Sequence, residues 1–453
     1  MMTGEEDGGT MADGDKPSCA EKDDAIDVMD GKRDRVKQNV LFQYGLQAAK
    51  YLFPFITIPY LTRVLGPEVY AVRAYILAAM TFVQVFLDYG FTAYGTREIA
   101  QRKDDPSAIR GVIGEIVLLR IVLCVVGALL VALITPLIPL MAANPLYVAI
   151  AYVCVCFKAT LPDFVFQGLE DMAIITYRFV VSQAVAIVLI FLLIHGPEDL
   201  LWVPALEALT ALIALVWSWT NVIRSRGLSP AKPGKPQLKA AFKTSSVFFL
   251  SGAATTIFTS LTTLMIGILI EDDKQISYWS LAMTAITAIQ ALYTPVTNSL
   301  YPHMCARKDF ALVKRLLTIG MPVVLVGTIA FALLDETIML VLGGREYLDG
   351  SYIIAMVSPV LFFSFPAMLI GFPVLAAVGW DRQLTASSAI ASVFHIIGLA
   401  VLAIGGWFTI PALCVLRCCT EVVLLVMRGW FVRKWMQSEQ HRPIEVEVED
   451  EQN

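Results

Sequence analysis

Apolar segments of about twenty residues follow one another along most of this chain, about twelve in all. A segment of that length can cross the hydrocarbon core of a bilayer as an α-helix, because a helix satisfies its own backbone hydrogen bonds. Charged residues make up 16% of the 453 positions, whereas a typical soluble domain has about 25%. The sequence therefore predicts an all-α polytopic membrane protein whose function lies in or across a membrane.

The longest connection between these segments divides them into two equal groups. It covers residues 224–243, is basic and contains three prolines. We expect six spans on each side of it, and hence two six-helix lobes, 37–223 and 244–436, joined by a basic linker. Pro54 and Pro59 predict that the first helix is kinked or broken. The predicted spans are 38–62, 70–95, 111–140, 146–168, 172–195, 200–222, 244–270, 276–302, 313–334, 350–379, 383–405 and 408–432.

The two ends of the chain differ in composition from the spans. Residues 1–36 are rich in Gly, Asp and Glu, and residues 437–453 are also acidic. Such segments bury too little apolar surface to offset the entropy of ordering, so both are predicted to be disordered tails. The start lacks the basic, apolar and small-residue pattern of a cleavable signal peptide, so we expect the first span to direct insertion.

Lysine and arginine are concentrated in alternate loops. We call the side of the basic loops the basic face, and it comprises residues 96–110, 224–243, 303–315, 380–383 and 433–434. The opposite side, the acidic face, carries the acids of residues 196–199, 271–274 and 335–346 and few cations, which are Arg63, Lys274 and Arg345. By the positive-inside rule the basic face is cytoplasmic. Both termini are then predicted in the cytoplasm, and the number of spans is even.

Charged residues inside the spans are the main functional candidates, because a charge within the bilayer is costly. A set of cations in a water-filled cavity would attract an anion, and the planar fork of arginine suits phosphate. Glu115 and Asp163 are candidates to neutralise Arg120 and Lys158. The charges of the first lobe are Lys50, Arg73, Asp88, Glu115, Arg120, Lys158, Asp163, Arg178 and Glu207.

Several of these residues also have a structural explanation. Arg73 and Arg178 lie near span ends, from which a long side chain can extend to the interface. Asp88 and Arg97 flank one end of the second span and can form an ion pair. Lys50 lies in the middle of the first span, too deep to reach the interface easily, and the functional interpretation is strongest there.

The second lobe carries fewer polar candidates. Arg417 and Glu421 are four residues apart on one helix face and are predicted to pair with each other. His395, in the middle of the eleventh span, is either a proton relay or a hydrogen-bonded core histidine. The hydroxyls of the seventh span either hold helices together or line a sugar-binding cavity. They are Ser251, Thr255, Thr256, Thr259, Ser260, Thr262 and Thr263.

Motifs of soluble chemistry are missing from the sequence. It has neither a GxxxxGK[ST] segment for nucleotide phosphates nor an HExxH metal motif. Six of the eight cysteines lie in apolar segments and none forms a CxxC. We therefore expect no cofactor, no metal site and no nucleic-acid partner, and any energy for transport must come from an ion gradient or from the substrate.

Four segments resemble a known family. They are Phe53–Tyr70 (FPFITIPYLTRVLGPEVY), Asp88–Ala100 (DYGFTAYGTREIA), Pro162–Asp171 (PDFVFQGLED) and Gly371–Ser387 (GFPVLAAVGWDRQLTAS). The first three are similar to the opening helix, the second span and the end of the fourth span of Wzx-type polysaccharide flippases. The fourth is similar to their junction between spans ten and eleven. These flippases belong to the multidrug/oligosaccharidyl-lipid/polysaccharide exporter superfamily.

The resemblance implies two six-helix lobes around a central cavity. It also implies a flippase that moves undecaprenyl-pyrophosphate-linked oligosaccharide across the cytoplasmic membrane, by alternating access and with ion coupling. Its partners would be the lipid-linked glycan, membrane lipids and a polysaccharide polymerase with its assembly proteins. The expected roles are an anion site of Lys50, Arg63, Arg73, Arg120, Lys158 and Arg178, sugar contacts of Gln84, Gln290 and Asn298, and ion coupling through Asp88 and His395.

Two other functions remain as alternatives. A small-molecule or drug exporter of the same fold would need an acidic, aromatic cavity for organic cations, and the basic first lobe argues against it. A membrane polysaccharide polymerase or glycosyltransferase usually has a large external loop. Every loop on the acidic face here is shorter than about twenty residues, given the length of a membrane-spanning helix.

Overall fold

In the computed structural model, the chain is described by its backbone from residue 19 to 440. Its side chains are described from 41 to 437, apart from some positions within 247–259 and 302–306. The first helices are α1 Cys19–Asp88, α2 Phe91–Ala100, α3 Pro106–Ile134, α4 Pro139–Ala143, α5 Pro145–Ala159, α6 Asp163–Gly168, α7 Met172–Leu193 and α8 Trp202–Thr220. The others are α9 Lys235–Leu269, α10 Lys274–Ala291, α11 Thr294–Arg307, α12 Phe310–Leu333, α13 Asp335–Leu342, α14 Ser351–Val357, α15 Pro359–Ile370, α16 Asp381–Ile404 and α17 Ile410–Gln440.

Nine helical segments of the described chain are long and apolar enough to cross a membrane. The first of them, Leu41–Ala100, has 60 residues, about three times the length needed for one crossing. It contains a break at Gly66, where φ is 72° and ψ is 168°, a conformation open essentially to glycine alone. The all-helical membrane fold is thus confirmed, whereas the number of twelve spans stays a prediction.

The break in α1 does not lie where the prolines predict it. Around Pro54 and Pro59 the backbone keeps its helical angles, and the chain turns only at Gly66, directly before Pro67. Membrane helices tolerate proline when neighbouring groups take up the freed carbonyls. Near these prolines, the hydroxyls of Thr57 and Thr62 lie within hydrogen-bonding distance of the Phe53 and Ile58 carbonyls, one turn earlier, and add side-chain hydrogen bonds to this part of the helix.

The helices form two bundles that meet along α1. In the first bundle α5 packs on α8, and α7 packs on α8 and α1. In the second bundle α16 and α15 pack on α17, and α12 packs on α15. Most of the contact between the bundles is made by the two halves of α1, which pack against α9 and α10. This arrangement matches the two lobes predicted from the span pattern.

Two of the membrane helices begin on the basic face with an aspartate whose side chain caps the helix N-terminus. Asp105 accepts hydrogen bonds from the backbone N–H groups of Ser107 and Ala108 at the start of α3. Asp309 accepts one from Leu312 at the start of α12. Hydrogen bonds to a carboxylate favour its charged form, so the backbone N–H groups of Ala108 and Leu312 lower the pKa of Asp105 and Asp309 respectively.

Two predicted boundaries differ from the observed elements. Helix α1 begins at Cys19, within the predicted tail 1–36, because residues 19–53 contain good helix formers and no proline. Residues 1–18 and 441–453 of the predicted tails lie outside the described part. Helix α9 begins at Lys235, within the predicted linker, with Pro236 in its first turn, where proline is tolerated.

Candidate functional site

A cavity of about 380 Å³ lies between the two lobes. Its walls come mainly from both halves of α1 and from α9 and α10, and they are completed by Leu342 of α13 and Arg417 of α17. The lining is partly apolar, with Phe55, Leu77 and Met283, and partly hydroxylated. The hydroxyl-bearing residues are Thr81, Ser260, Thr263, Ser280, Thr284 and Thr287. We call this space the central cavity.

Lys50 is an exposed cation in the wall of the central cavity. No carboxylate among the described residues forms a salt bridge with it. A lysine without a counter-ion inside the membrane is costly unless water or an anionic ligand surrounds it. Lys50 thus lines the cavity, and its role as an anion-binding residue stays a prediction.

Two further cations surround one carboxylate in a small pocket beside the central cavity. Arg73 Nη2 lies 3.5 Å from one oxygen of Glu207, and Lys158 Nζ lies 3.6 Å from the other. Both distances are long for ion pairs with direct hydrogen bonds. The pocket shares Leu77 and Thr81 with the central cavity. Its excess positive charge therefore lies next to that of Lys50.

Arg120 belongs to a third space, of about 530 Å³, that extends toward the basic face. Its Nη2 donates to Asp88 Oδ1 at 2.6 Å and lies 2.8 Å from the Thr92 hydroxyl, and its Nη1 donates to the Leu161 carbonyl at 2.9 Å. The Arg120 side chain is 3% exposed, whereas that of Asp88 is 35% exposed. Asp88 is therefore the member of this pair that water or an ion can reach.

The partners predicted for the first-lobe charges are wrong. Asp163 forms a two-pronged pair with Arg178, at 2.6 and 3.1 Å, and does not neutralise Lys158. Glu115 accepts a hydrogen bond from the Tyr94 hydroxyl at 3.1 Å, and Asp88 pairs with Arg120 instead of Arg97. Pairing between helices depends on their rotation and depth, which the sequence of one span does not contain. Arg178, 5% exposed and satisfied by Asp163, has no access to the central cavity.

Arg63 lies at the acidic face, away from the cations of the central cavity. Its guanidinium donates to the carbonyls of Leu340 and Val341, at 3.1 and 2.8 Å, at the C-terminal end of α13. The Thr62 hydroxyl lies 2.7 Å from the Leu342 carbonyl. We call these contacts the acidic-side clasp, because they join the first lobe to the second. A cation at a helix C-terminus is favourable, so the geometry gives Arg63 a structural role in joining α1 to α13.

The predicted sugar-binding residues separate into two groups. Gln290 lines the central cavity, and Gln84 lines both the Arg73 pocket and the space around Asp88. Asn298 is exposed on α11 and does not line the central cavity. Helix α10 ends at Ala291 and a new helix begins at Thr294, so the predicted eighth span is interrupted between its two glutamine and asparagine candidates.

His395 is fully buried and has a hydrogen-bond partner at each ring nitrogen. Nε2 lies 2.8 Å from the Thr262 hydroxyl of α9, and Nδ1 lies 2.8 Å from the Thr420 hydroxyl of α17. Thr420 donates its own proton to the Leu416 carbonyl. Nδ1 must therefore carry the hydrogen shared with Thr420, and Nε2 accepts from Thr262. Of the two alternatives from sequence, this geometry favours the core histidine.

The described hydroxyls of the seventh span divide between a cavity wall and a contact between helices, and sugar binding by them stays a prediction. Ser260 and Thr263 line the central cavity, whereas Thr262 bonds to His395. The side chains of Ser251, Thr255 and Thr259 lie outside the described residues. The predicted pair of Arg417 and Glu421 is confirmed, with a distance of 2.7 Å.

Of two residues important to the cavities, Glu207 was named among the charged candidates without a role in the site, and Arg428 was missed. Glu207 holds Arg73 and Lys158 together, and its position inside a span gave the signal. Arg428 lies within the predicted twelfth span and lines a separate cavity of about 340 Å³. The same criterion of a charge within a span would have found it.

Comparison with solved structures identifies the fold. The chain superposes on lipid II flippase MurJ in its inward closed conformation with a TM-score of 0.71, at 12% identity and with 87% of each chain covered. For an inward-facing multidrug resistance transporter of the MATE family in the MOP superfamily, the TM-score is 0.68 at 13% identity, with 86% of this chain and 96% of that chain covered. The predicted fold class is thereby confirmed.

Sequence comparison adds the family. The chain is 22% identical over 354 residues to a protein of Escherichia coli (strain K12) named "Putative O-antigen transporter", with 77% of this chain and 85% of that protein covered. Residues 36–308 match the family described as polysaccharide biosynthesis protein. The resemblance seen in the four sequence segments is confirmed. Since the match includes more than half of the chain, this protein belongs to the polysaccharide biosynthesis protein family.

Proposed function

We propose that this protein is a flippase that moves a lipid-linked oligosaccharide across the cytoplasmic membrane for surface polysaccharide synthesis. The observation that carries the proposal is the charge of the central cavity. Lys50 has no carboxylate partner there among the described residues, and Arg73 and Lys158 share the single carboxylate of Glu207 beside it. This arrangement is suited to a substrate that carries more than one negative charge.

The substrate in this proposal is a glycan on polyprenyl pyrophosphate. The pyrophosphate would lie between Lys50 and the Arg73 pocket, where it would replace water around the cations. Sugar hydroxyls would bond to Thr81, Gln84 and Gln290. The apolar wall formed by residues such as Phe55 suits the first isoprene units. A polysaccharide polymerase and its assembly proteins would use the product on the far side.

Alternating access is the mechanism that we propose. The acidic-side clasp closes one end of the central cavity, and the adjoining spaces extend toward the basic face. The basic face is placed in the cytoplasm, with both termini, by the positive-inside rule. Substrate would enter from the cytoplasmic leaflet, and opening of the clasp would release it outward. Transfer then needs movement of the lobes but no covalent chemistry.

Ion coupling through Asp88 or His395 is a further part of the proposal. Asp88 is the better placed of the two, because its carboxylate is partly exposed in the space toward the basic face and holds Arg120. A proton or cation on Asp88 would weaken that pair and change the charge available to substrate. His395 would act from inside the second lobe, where both of its nitrogens are already occupied.

The alternative function, export of organic cations, is compatible with the fold but not with the positive charge of the cavity. The likeness to the multidrug transporter is nearly as high as that to the lipid II flippase, so the fold alone does not decide between them. A cavity with Lys50, Arg73 and Lys158 repels organic cations at the position where they would bind.

The proposal is tested by the leaflet distribution of polyprenyl-linked oligosaccharide in cells depleted of this protein. We expect accumulation in the cytoplasmic leaflet, reversed by the wild-type chain but not by the double variant Lys50→Gln/Arg73→Gln. Lys239→Gln, which removes an exposed charge of the basic face, is the matched control and should restore transport. An unchanged distribution with normal surface polysaccharide would contradict the flippase. Single repeat units already outside, without long polymer, would indicate a polymerase.

A further inference from the structure

A second cationic cavity lies within the second lobe, separate from the central cavity. It has a volume of about 340 Å³ and is lined by Thr297, Met368, Phe372, Leu384, Thr385, Ser388 and Arg428. These residues come from α11, α15, the π-helical turn Gly371–Ala376, α16 and α17. We call it the Arg428 pocket. The function proposed above makes no use of it.

Arg428 differs from the other arginines that are buried or half-buried in the described chain. Each of the others has a carboxylate partner, and these pairs are Arg73–Glu207, Arg120–Asp88, Arg178–Asp163, Arg226–Asp171 and Arg417–Glu421. Arg428 bonds only to neutral groups, the Ala367 carbonyl at 2.7 Å and the hydroxyls of Ser387 and Ser388 at 3.4 and 3.5 Å. The nearby Glu421 carboxylate acts on Arg428 only without a hydrogen bond, so Arg428 lacks the directly bonded carboxylate that the other five have.

Hydrogen-bond donors converge on the same pocket. Of the three Arg428 contacts only the one to Ala367 is short, so Nε and Nη2 retain donor capacity. The hydroxyls of Thr385 and Ser388 line the pocket and have no acceptor among the described residues. A guanidinium fork beside two hydroxyl donors matches a tetrahedral phosphate oxyanion.

The backbone around Arg428 is shaped to admit the guanidinium. A Cβ atom at Gly371 would lie 2.6 Å from Arg428 Nη1, so only glycine leaves room for the side chain in this position. Gly371 begins the π-helical turn Gly371–Ala376, and such turns are frequent at functional sites. The segment Gly371–Ser387 is the second-lobe segment singled out in the sequence. The structure shows that it supplies one side of this pocket.

The depth and the apolar walls indicate where the anion would lie. Arg428 is four residues before the end of the predicted span 408–432, or about 6 Å along a helix. A long arginine side chain can extend over that distance to the headgroup region of the leaflet on the basic face. Phe372, which is 48% exposed, and Leu384 and Met368 provide an apolar wall. An apolar wall beside an anion site is suited to a phosphate that is attached to a lipid.

We infer that the Arg428 pocket binds a phosphate-class anion at the basic face, separately from the transport cavity. Arg428, Ser388 and Thr385 donate to the phosphate oxygens, and Gly371 makes room for the guanidinium. The phosphate comes either from a lipid headgroup or from a free phosphate compound. The inference does not depend on the proposed flippase activity.

The test is thermal denaturation of the purified protein in detergent. A Lys50→Gln background is used so that anion binding in the central cavity contributes less to the change in the denaturation midpoint. One series adds sodium pyrophosphate against sodium chloride at equal ionic strength, and the other adds phosphatidylglycerol against phosphatidylcholine. We expect a phosphate-class addition to raise the midpoint, and Arg428→Gln to weaken the apparent affinity by about tenfold or more. Arg433→Gln, an exposed arginine on the same helix, is the control and should keep the response.

The two series identify the source of the phosphate. A response to phosphatidylglycerol alone assigns a lipid headgroup, whereas a response to pyrophosphate assigns a free phosphate compound. Gly371→Ala keeps the charge but displaces the guanidinium, and it should weaken the response even if Arg428→Gln does not fold. A full response in Gly371→Ala and in any folded Arg428→Gln protein, or no response in the Lys50→Gln parent, would overturn the inference.

Discussion

At the scale of single residues, the charged side chains of the first lobe divide into structural and accessible groups. Arg178 and Asp163 form a short two-pronged pair with little exposure, whereas Lys50 is exposed in the central cavity. The sequence places both types inside spans and cannot separate them, because burial depends on how the helices are rotated. Their different surroundings lead to different expected effects of substitution.

Substitution of Asp163 should affect stability. Asp163→Asn leaves the Arg178 guanidinium buried without its counter-ion, which costs about 3–5 kcal/mol for a pair of this kind. Thermal denaturation in detergent should show a large fall in the midpoint. Asp104→Asn, at an exposed position of the basic face, should leave it unchanged. Equal midpoints for the two variants would show that the buried pair does not hold α6 against α7.

His395 is expected to stabilise the second lobe without setting the pH dependence of transport. His395→Leu leaves the buried Thr262 hydroxyl without its acceptor, and a lost buried hydrogen bond costs about 1–3 kcal/mol. The denaturation midpoint should fall, while the pH profile of transport keeps its shape. A flattened profile in a protein of unchanged stability would instead establish His395 as the coupling residue.

At the scale of helices, the turn after the first crossing depends on one glycine. Gly66 has a φ of 72° and a ψ of 168°, and a side chain there costs about 1–3 kcal/mol through backbone strain. Gly66→Ala should therefore destabilise the protein in thermal denaturation. Gly111→Ala, inside α3 with nothing within 4 Å of the added Cβ, should be neutral or slightly stabilising. A neutral Gly66→Ala would mean that the turn tolerates another geometry.

The sequence predicts some features of the helices well and others poorly. Apolar length and basic loops predict where the chain crosses and which loops share a side, and the helices α3, α7, α12 and α16 follow the predicted spans closely. The break at Gly66 lies in the connection predicted between the spans 38–62 and 70–95, whereas the interruption between α10 and α11 lies inside the predicted span 276–302 and was missed. Such an interruption depends on local backbone angles and packing, and the hydropathy of a segment carries no information on either.

At the scale of the whole molecule, the acidic-side clasp should control which side of the central cavity is open. Arg63→Ala removes two hydrogen bonds to the end of α13 and should favour opening at the acidic face. The measurement uses a cysteine-free background with Thr284→Cys in the cavity wall and an impermeant thiol reagent added from the acidic face. The introduced thiol should be labelled several-fold faster with Arg63→Ala than without it, because contacts of the closed state are lost. Arg345→Ala, an exposed arginine nearby, is the control. Equal labelling rates would show that the clasp is not a gate.

The central claim is that a cationic cavity between two lobes transfers a lipid-linked glycan between leaflets. Its most direct test uses purified protein in liposomes that contain a polyprenyl-pyrophosphate oligosaccharide. A glycosidase outside the vesicles reports how much glycan reaches the outer leaflet. We predict transfer with the wild-type chain and Lys239→Gln, and a rate at least about tenfold lower with Lys50→Gln, as expected for loss of one charge-assisted contact. Equal rates for Lys50→Gln and wild type, or no transfer above protein-free liposomes, would contradict the account.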